Sequence, residues 1–291
     1  MAVFRAFKAL RPTEGKAAAV AALPYDVVNR EEAAAIGKEN PDSFLHVDRA
    51  EMDLPAETDL YDAKVYQKAK ENLHKMEETG VLVQDNKPCY YIYELVRKGK
   101  VQTGIAGCAS IDDYLNNVVK KHELTRSDKE LDRINHVDVC DANTGPIYLA
   151  CRYTDALSAL LEQWKKEHKA TYDFTEEDEI THRVWVIDGD EAISQIQGEM
   201  EKIPALYIAD GHHRAASAVK VGLKRRQENP DYTGEEEFNY FLSVLFPHDE
   251  LRILDYNRTV KDLNGRSLTQ FLEEISKNFI VEKAEGQVRP E

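Results

Sequence analysis

Apolar and polar positions along the chain switch between a period of two and a period near four, and the switches mark out the elements. Ala2–Leu10 alternates as a strand, and Arg11-Pro12 through Lys16 reads as a turn. Asn29 is placed to cap a helix over Arg30–Glu39, which Asn40-Pro41 stops. Ser43–Val47 has strand character. Thr58–Thr79 is the clearest helix, with Tyr66, Ala69, Leu73 and Met76 on one face and Gly80 to close it. Cys89–Val96 and Val101–Ile111 flank Arg97-Lys98-Gly99-Lys100 as a hairpin. Asp155–His168 and Glu191–Lys202 are helical, and His182–Ile187 alternates as a strand between them. Ala205–Ala209 is a short apolar strand, and a helical pattern resumes at Ala215. Phe238–Phe246 predicts a strand, Ser267–Phe279 a helix, and Ile280–Lys283 the start of another strand.

Interleaved strands and helices place the chain in the α/β (mixed α+β) class. Two regions are expected, 1–170 and 171–291, able to join as one compound domain. The 291 residues suffice for a sizeable core. A net charge of −15 disfavours a nucleic-acid coat, because backbone affinity comes from Lys and Arg. Cys89, Cys108, Cys140 and Cys151 form no C-x-x-C pair, which points to reduced thiols. Met1–Leu10 lacks a signal-peptide core, and no run reaches the roughly 20 apolar residues of a membrane span. A cytoplasmic protein is expected. The chain ends at Gly286–Glu291 without an obvious closing element, so a fragment of a longer protein is expected.

The densest chemistry lies in ALYIADGHHRAASAVKVGL, residues 205–223. Between strand and helix stand Asp210, Gly211, His212, His213 and Arg214. A helix N-terminus already carries partial positive charge, so an arginine and two histidines there call for an anion. Backbone N–H groups, a guanidinium and imidazoles can bind a phosphate together. A second cluster, KKHELTRSDKELDRINH, spans residues 120–136. As a helix it puts His122, Arg126, Lys129 and Arg133 on one stripe, with Glu123 held in a positive field. A solvated, salt-bridged helix explains the same residues. If the stripe serves the phosphate site, a side chain of His122, Glu123 or Arg126 should lie within about 10 Å of Asp210–Arg214. His182 and Arg183 point to opposite faces of a strand and read as strand-edge charges.

FRAFKALRP, LPYDVV, NPDSFLHV, KHELTRSDKELDR, NTGPIYL, HRVWVI and YIADGHHRAASA resemble, in order, a prokaryotic family catalogued as domain of unknown function 1015. The resemblance covers nearly the whole chain. It departs at Leu254-Asp255-Tyr256-Asn257-Arg258, where relatives carry a histidine before an arginine. Asp210, Gly211, His213 and Arg214 are also similar to the Asp-Gly-x-His-Arg pattern of free-serine kinases in the ParB/sulfiredoxin superfamily. That likeness implies a ParB/sulfiredoxin-like core with an elaborated N-terminal half. It also implies nucleotide phosphates at the turn. The reactive cysteine of sulfiredoxin would fall at His212, so sulfinic acid repair is not expected. Family genes often neighbour those of early serine synthesis, which implies serine or phosphoserine as substrate.

The resulting expectation is phosphoryl transfer between a nucleotide, ATP or ADP, and a small hydroxy amino acid, in the kinase or the dephosphorylating direction. Gly211, His213, Arg214, His122, Arg126 and Arg133 would bind phosphate or nucleotide. Asp210 would hold Mg²⁺. Glu123, Asp210, His212 and Asp26 are the candidate catalytic groups, Glu123 and Asp26 being the carboxylates able to accept the hydroxyl proton. Arg126, Arg133 or His182 could take a serine carboxylate, and Asp26 or Glu123 its ammonium. The alternatives are a nucleotide-dependent binding switch without turnover, and a hydrolase using His212 and His213 with a metal. Adjacent histidines suit a helical metal site less well than His-x-x-x-His. No membrane or nucleic-acid partner is expected.

Overall fold

A computed structural model describes residues 1–125, 127–176, 179–252 and 260–283. Residues 1–251 pack as one unit and 252–291 as a second. The first unit runs β1 (Phe4–Arg5), β2 (Leu10–Pro12), α1 (Ala17–Val20), α2 (Arg30–Glu39), α3 (Leu45–Asp48), α4 (Ala63–Glu78), β3 (Leu82–Gln84), β4 (Tyr90–Arg97) and β5 (Lys100–Ser110). It continues with α5 (Ile111–Leu115), β6 (Val119–Lys120), α6 (Ser127–Cys140), β7 (Ile147–Cys151), α7 (Asp155–Glu167), β8 (Tyr172–Thr175) and β9 (Thr181–Ile187). It closes with α8 (Asp190–Met200), β10 (Leu206–Asp210), α9 (His212–Glu228) and β11 (Tyr240–Pro247). The second unit holds α10 (Leu268–Ser276), opened by a reciprocal capping box between Ser267 and Gln270.

Among the described residues, nine strands form one mixed sheet in the order β6-β10-β7-β11-β5-β4-β9-β8, with β1 paired to the far end of β5. The class is therefore mixed α/β. β6 is parallel to β10, and β7 is parallel to β11. The remaining pairs are antiparallel. The core gathers Tyr90, Ile92, Ile105, Leu149 and Phe241 from the sheet with Leu157, Leu161, Ile196, Ala215 and Val219 from α7, α8 and α9. A second cluster, with Val47, Val65, Ala69, Leu73, Met76 and Cys140, joins α3, α4 and the end of α6. α6 also touches α9, where the Ser217 hydroxyl donates to the Glu130 carbonyl at 3.1 Å. The sheet thus anchors α9 directly, and α9 carries α6.

Several expectations need correction. Ser43–Val47 is not a strand. The Ser43 hydroxyl accepts from the Leu45 N–H at 3.3 Å, and that local turn starts α3, which buries Leu45 and Val47. The long helix starts at Ala63, capped by Asp62 accepting from the Lys64 N–H, rather than at Thr58. Ala2–Leu10 is split into β1 and the first residue of β2. Ile280–Lys283 forms no strand, and Ile280 is 91% exposed. Residues 120–136 are not one helix: α6 begins only at Ser127, so His122 precedes it and shares no helical stripe with Arg133.

Candidate functional site

Register builds the site. β6 and β10 pair in parallel through Val119–Leu206 and Lys120–Tyr207, so both chains leave the sheet on the same side. Beyond the Lys120–Tyr207 pair the loop after β6 brings the Glu123 carboxylate 3.6 Å from His212, two residues past Asp210. β7 is antiparallel to β10, so its entry, Gly145 to Ile147, passes the same end. Between Ile208 and Asp210 the β10–β7 register slips by one residue. Such a bulge re-aims the side chains that follow it. Here Ala209 and Asp210 both emerge exposed.

Asp210 hands over to α9 through Gly211, whose φ of 90° lies in the left-handed region that glycine adopts without strain. The first turn of α9 has no side-chain cap and no acidic residue. In contrast, α2, α4, α7 and α10 are capped by Asn29, Asp62, Thr154 and Ser267. The dipole of this 17-residue helix therefore meets three basic-type side chains at its positive end with no compensating carboxylate of its own.

His212 opens the helix and is 4% exposed. Its Nδ1 stands 3.6 Å from a Glu123 carboxylate oxygen, and its Nε2 is buried with no hydrogen-bond partner. The His122 ring meets the His212 ring edge-on, centroids 4.4 Å apart and planes at 84°. Burial, and next the neighbouring His122, push the His212 imidazole below its usual pKa. The loop carrying His122 and Glu123 is tied down at both ends. Lys121 donates to the Tyr114 carbonyl at 2.9 Å and lies over its ring, and the Thr125 hydroxyl donates to Glu130 at 2.6 Å.

A cationic wall stands beside this cluster on the same helix end. Arg133 of α6 and Arg214 of α9 both lie over the Tyr25 ring, at 4.2 and 5.2 Å. Arg133 is paired with Asp132 at 2.8 Å, and Asp132 also accepts from the Tyr66 hydroxyl at 3.0 Å. Among the described residues Arg214 has no carboxylate partner. Its guanidinium lies against Gly145, where a β-carbon would come within 2.6 Å of Nη1. The adjacent Thr144 donates to Asp48 at 2.7 Å and so fixes that loop to α3. Burial raises the Tyr25 phenol, with Arg133 opposing. Asp26, next in the chain, is exposed.

The structure thus brings together Glu123, His122, Asp210, Gly211 and His212, with Arg214, Arg133 and Asp26 grouped around Tyr25. His213 sits on the first turn of α9, where its carbonyl accepts from Ser217 at 2.7 Å. Arg126 and Leu254–Arg258 lie outside the described residues. His182 does not belong to this cluster: β9 is five strands from β10, roughly 24 Å at normal strand spacing. It packs between Tyr93 and Phe174, and Arg183 pairs with Glu94 and Asp173. β9 is an interior strand, so neither is a strand-edge charge. The pairing of His212 with His213 gives way to a pairing of His212 with His122. Tyr25, Thr144 and Gly145 escaped sequence reasoning; an aromatic next to Pro24 and a Gly-Pro step before an apolar run were the available signals.

Fold and site together define a mixed α/β protein with a strand–glycine–helix junction at one side of its sheet. The chain belongs to the family described as "Protein of unknown function (DUF1015)", whose profile matches residues 4–290. Neither a curated protein nor a solved structure matches it. No helix among the described residues is long and apolar enough to cross a membrane.

Proposed function

We propose that this protein transfers a phosphoryl group between a nucleotide and a small hydroxy amino acid, serine or phosphoserine, at the β10–Gly211–α9 junction. The observation that carries the reading is the Arg214 guanidinium, free of any carboxylate among the described residues and set against the bare backbone of Gly145 beside an uncapped helix N-terminus. A phosphate would supply the negative partner that Arg214 lacks among the described residues. The ParB/sulfiredoxin-like reading of the core belongs to the same proposal and draws support from the strand, left-handed glycine and helix occurring in that order.

The residues fit the groups this chemistry needs. ATP or ADP would place its phosphates on the first-turn N–H groups of α9 and on Arg214, with His213 and Arg133 adding positive charge. Asp210, exposed and just past the bulge, suits Mg²⁺, which is commonly held through one carboxylate with waters and phosphate oxygens completing the shell. Bound there, the ion would neutralise phosphate charge. In the kinase direction the serine oxygen bonds to the terminal phosphorus, the bond to the leaving diphosphate breaks, and the hydroxyl proton passes to a carboxylate. Glu123 and Asp26 are the two carboxylates for that step.

The test is a coupled assay of the full chain with serine plus ATP or ADP, and with phosphoserine plus ADP or water, each with Mg²⁺ or Mn²⁺. Turnover of either amino acid supports the proposal. Nucleotide binding without turnover in either direction replaces it with a nucleotide-dependent binding switch.

A further inference from the structure

We infer that His122, Glu123 and His212 form a binding site for a divalent transition-metal ion of the zinc, manganese or iron(II) class. One ligand atom of each residue lies within 4.8 Å of the others. An ion bound tetrahedrally at about 2.1 Å from each would set them roughly 3.4 Å apart. His122 and Glu123 are exposed, so side-chain rotations are free to close the remaining gap of roughly 1–1.5 Å.

Three polar groups near one another on a surface are ordinary. The buried imidazole is not. His212 is 96% shielded, its Nε2 has no partner, and its Nδ1 is 3.6 Å from Glu123, beyond hydrogen-bond reach. A buried polar group left unsatisfied is destabilising. Nε2 bears that cost with or without an ion; Nδ1 is the nitrogen that faces Glu123, and a metal there would draw Glu123 and His122 to the same point. The ligand loop is pinned at Lys121 and at Thr125, so little chain entropy opposes closure.

The donor set selects the ion. Two imidazole nitrogens and one carboxylate suit zinc, manganese or non-haem iron, with positions left for water or a ligand oxygen. Mg²⁺ prefers an all-oxygen shell, so this site is separate from the proposed Asp210 ion. With Glu123 engaged as a ligand, Asp26 becomes the carboxylate left to accept the hydroxyl proton. The inference stands on ion binding alone and does not require phosphoryl transfer.

The experiment is titration of the chelator-treated full chain with Co²⁺, read by visible absorption, and with Zn²⁺, read by calorimetry. One ion per chain is expected. His122→Gln and Glu123→Gln, both on an exposed loop, should each weaken affinity at least about tenfold, as should His212→Gln if circular dichroism shows it folded. His168→Gln, an exposed histidine elsewhere, should bind as the parent does. Absence of one-to-one uptake overturns the site. So does uptake with unchanged affinity in both loop variants.

Discussion

Gly145 and Arg214 are in direct apposition: a β-carbon on the glycine would stand 2.6 Å from the guanidinium Nη1. The neighbour is the far end of a flexible side chain, so a methyl group would push the arginine aside without breaking the fold. Gly145→Ala is expected to keep its melting temperature within about 2 °C while nucleotide affinity falls about tenfold, or about 1.4 kcal/mol. Equal affinity in titrations of the two proteins would mean that Arg214 does not bind from its observed position.

Arg214→Ala removes the guanidinium altogether. A charge-assisted contact contributes about 1.5–3 kcal/mol, so ATP or ADP binding should weaken by roughly 10- to 150-fold. Calorimetry on the folded variant checks this. Undiminished affinity would refute a phosphate contact here.

Asp210→Asn tests the metal-holding carboxylate of the proposed reaction. Turnover should drop at least about 100-fold with Mg²⁺ present, the scale of a lost electrostatic catalyst. Raising Mg²⁺ should recover part of it if Asp210 acts through the ion, and steady-state kinetics at several metal concentrations separates that from simple loss of fold.

Gly211 holds φ at 90°, and an L-residue there pays a left-handed penalty of about 1–2 kcal/mol. Gly211→Ala should therefore lower unfolding free energy by about that amount in denaturant titrations. Gly198→Ala provides the contrast: nothing lies within 4 Å of its β-carbon position in α8, and a helical alanine should stabilise by about 0.5–1 kcal/mol.

His136 gives a signed pH dependence. It is 3% exposed, its Nε2 is 3.1 Å from the Val47 carbonyl, and burial, then the charge of Arg133, lower its pKa. The unfolded chain takes up a proton near about pH 6.5 that the folded chain resists. Stability contributed by His136 is thus present above that value and lost as pH falls, by up to about 1.4 kcal/mol per unit. His46 has the opposite sign: its hydrogen bond to Asp53 raises its pKa, so its contribution is present below about 6.5 and lost as pH rises through the folded value. Unfolding free energies from pH 5 to 8 should show His136→Gln flattening the acid limb and His46→Gln the alkaline one. Unchanged slopes would count against both assignments.

The junction was legible because local chemistry decides it. An apolar run, Asp-Gly and an alanine-rich helical pattern suffice to reveal a strand, a turn at Gly211 and a helix, although α9 starts at His212 and not at Ala215, so that His212, His213 and Arg214 form its first turn. Asn29 announces α2 in the same way, and the structure adds Glu32 as the other half of a capping box. β6 was not legible. It has two residues, and only its pairing with β10, almost ninety positions later, makes it a strand. Tyr25 was missed because its importance comes from Arg133 and Arg214, both distant in sequence. Ser43–Val47 misled because one hydroxyl turned an apolar run that alternation alone reads as extended.

The two-residue strand at the sheet edge has a consequence for timing. Contacts between β6 and β10 close a loop of over eighty residues, and such non-local pairings are slow to form and cheap to release. Opening this edge separates His122 and Glu123 from Asp210 and His212 while the central strands stay protected. In hydrogen exchange the amide of Leu206, which donates to the Val118 carbonyl at 3.0 Å, should trade deuterium well before that of Leu245 deep in the sheet. Ligand or metal bound across the seam would slow Leu206 selectively, which makes one amide a reporter of whether the protein is assembled for work.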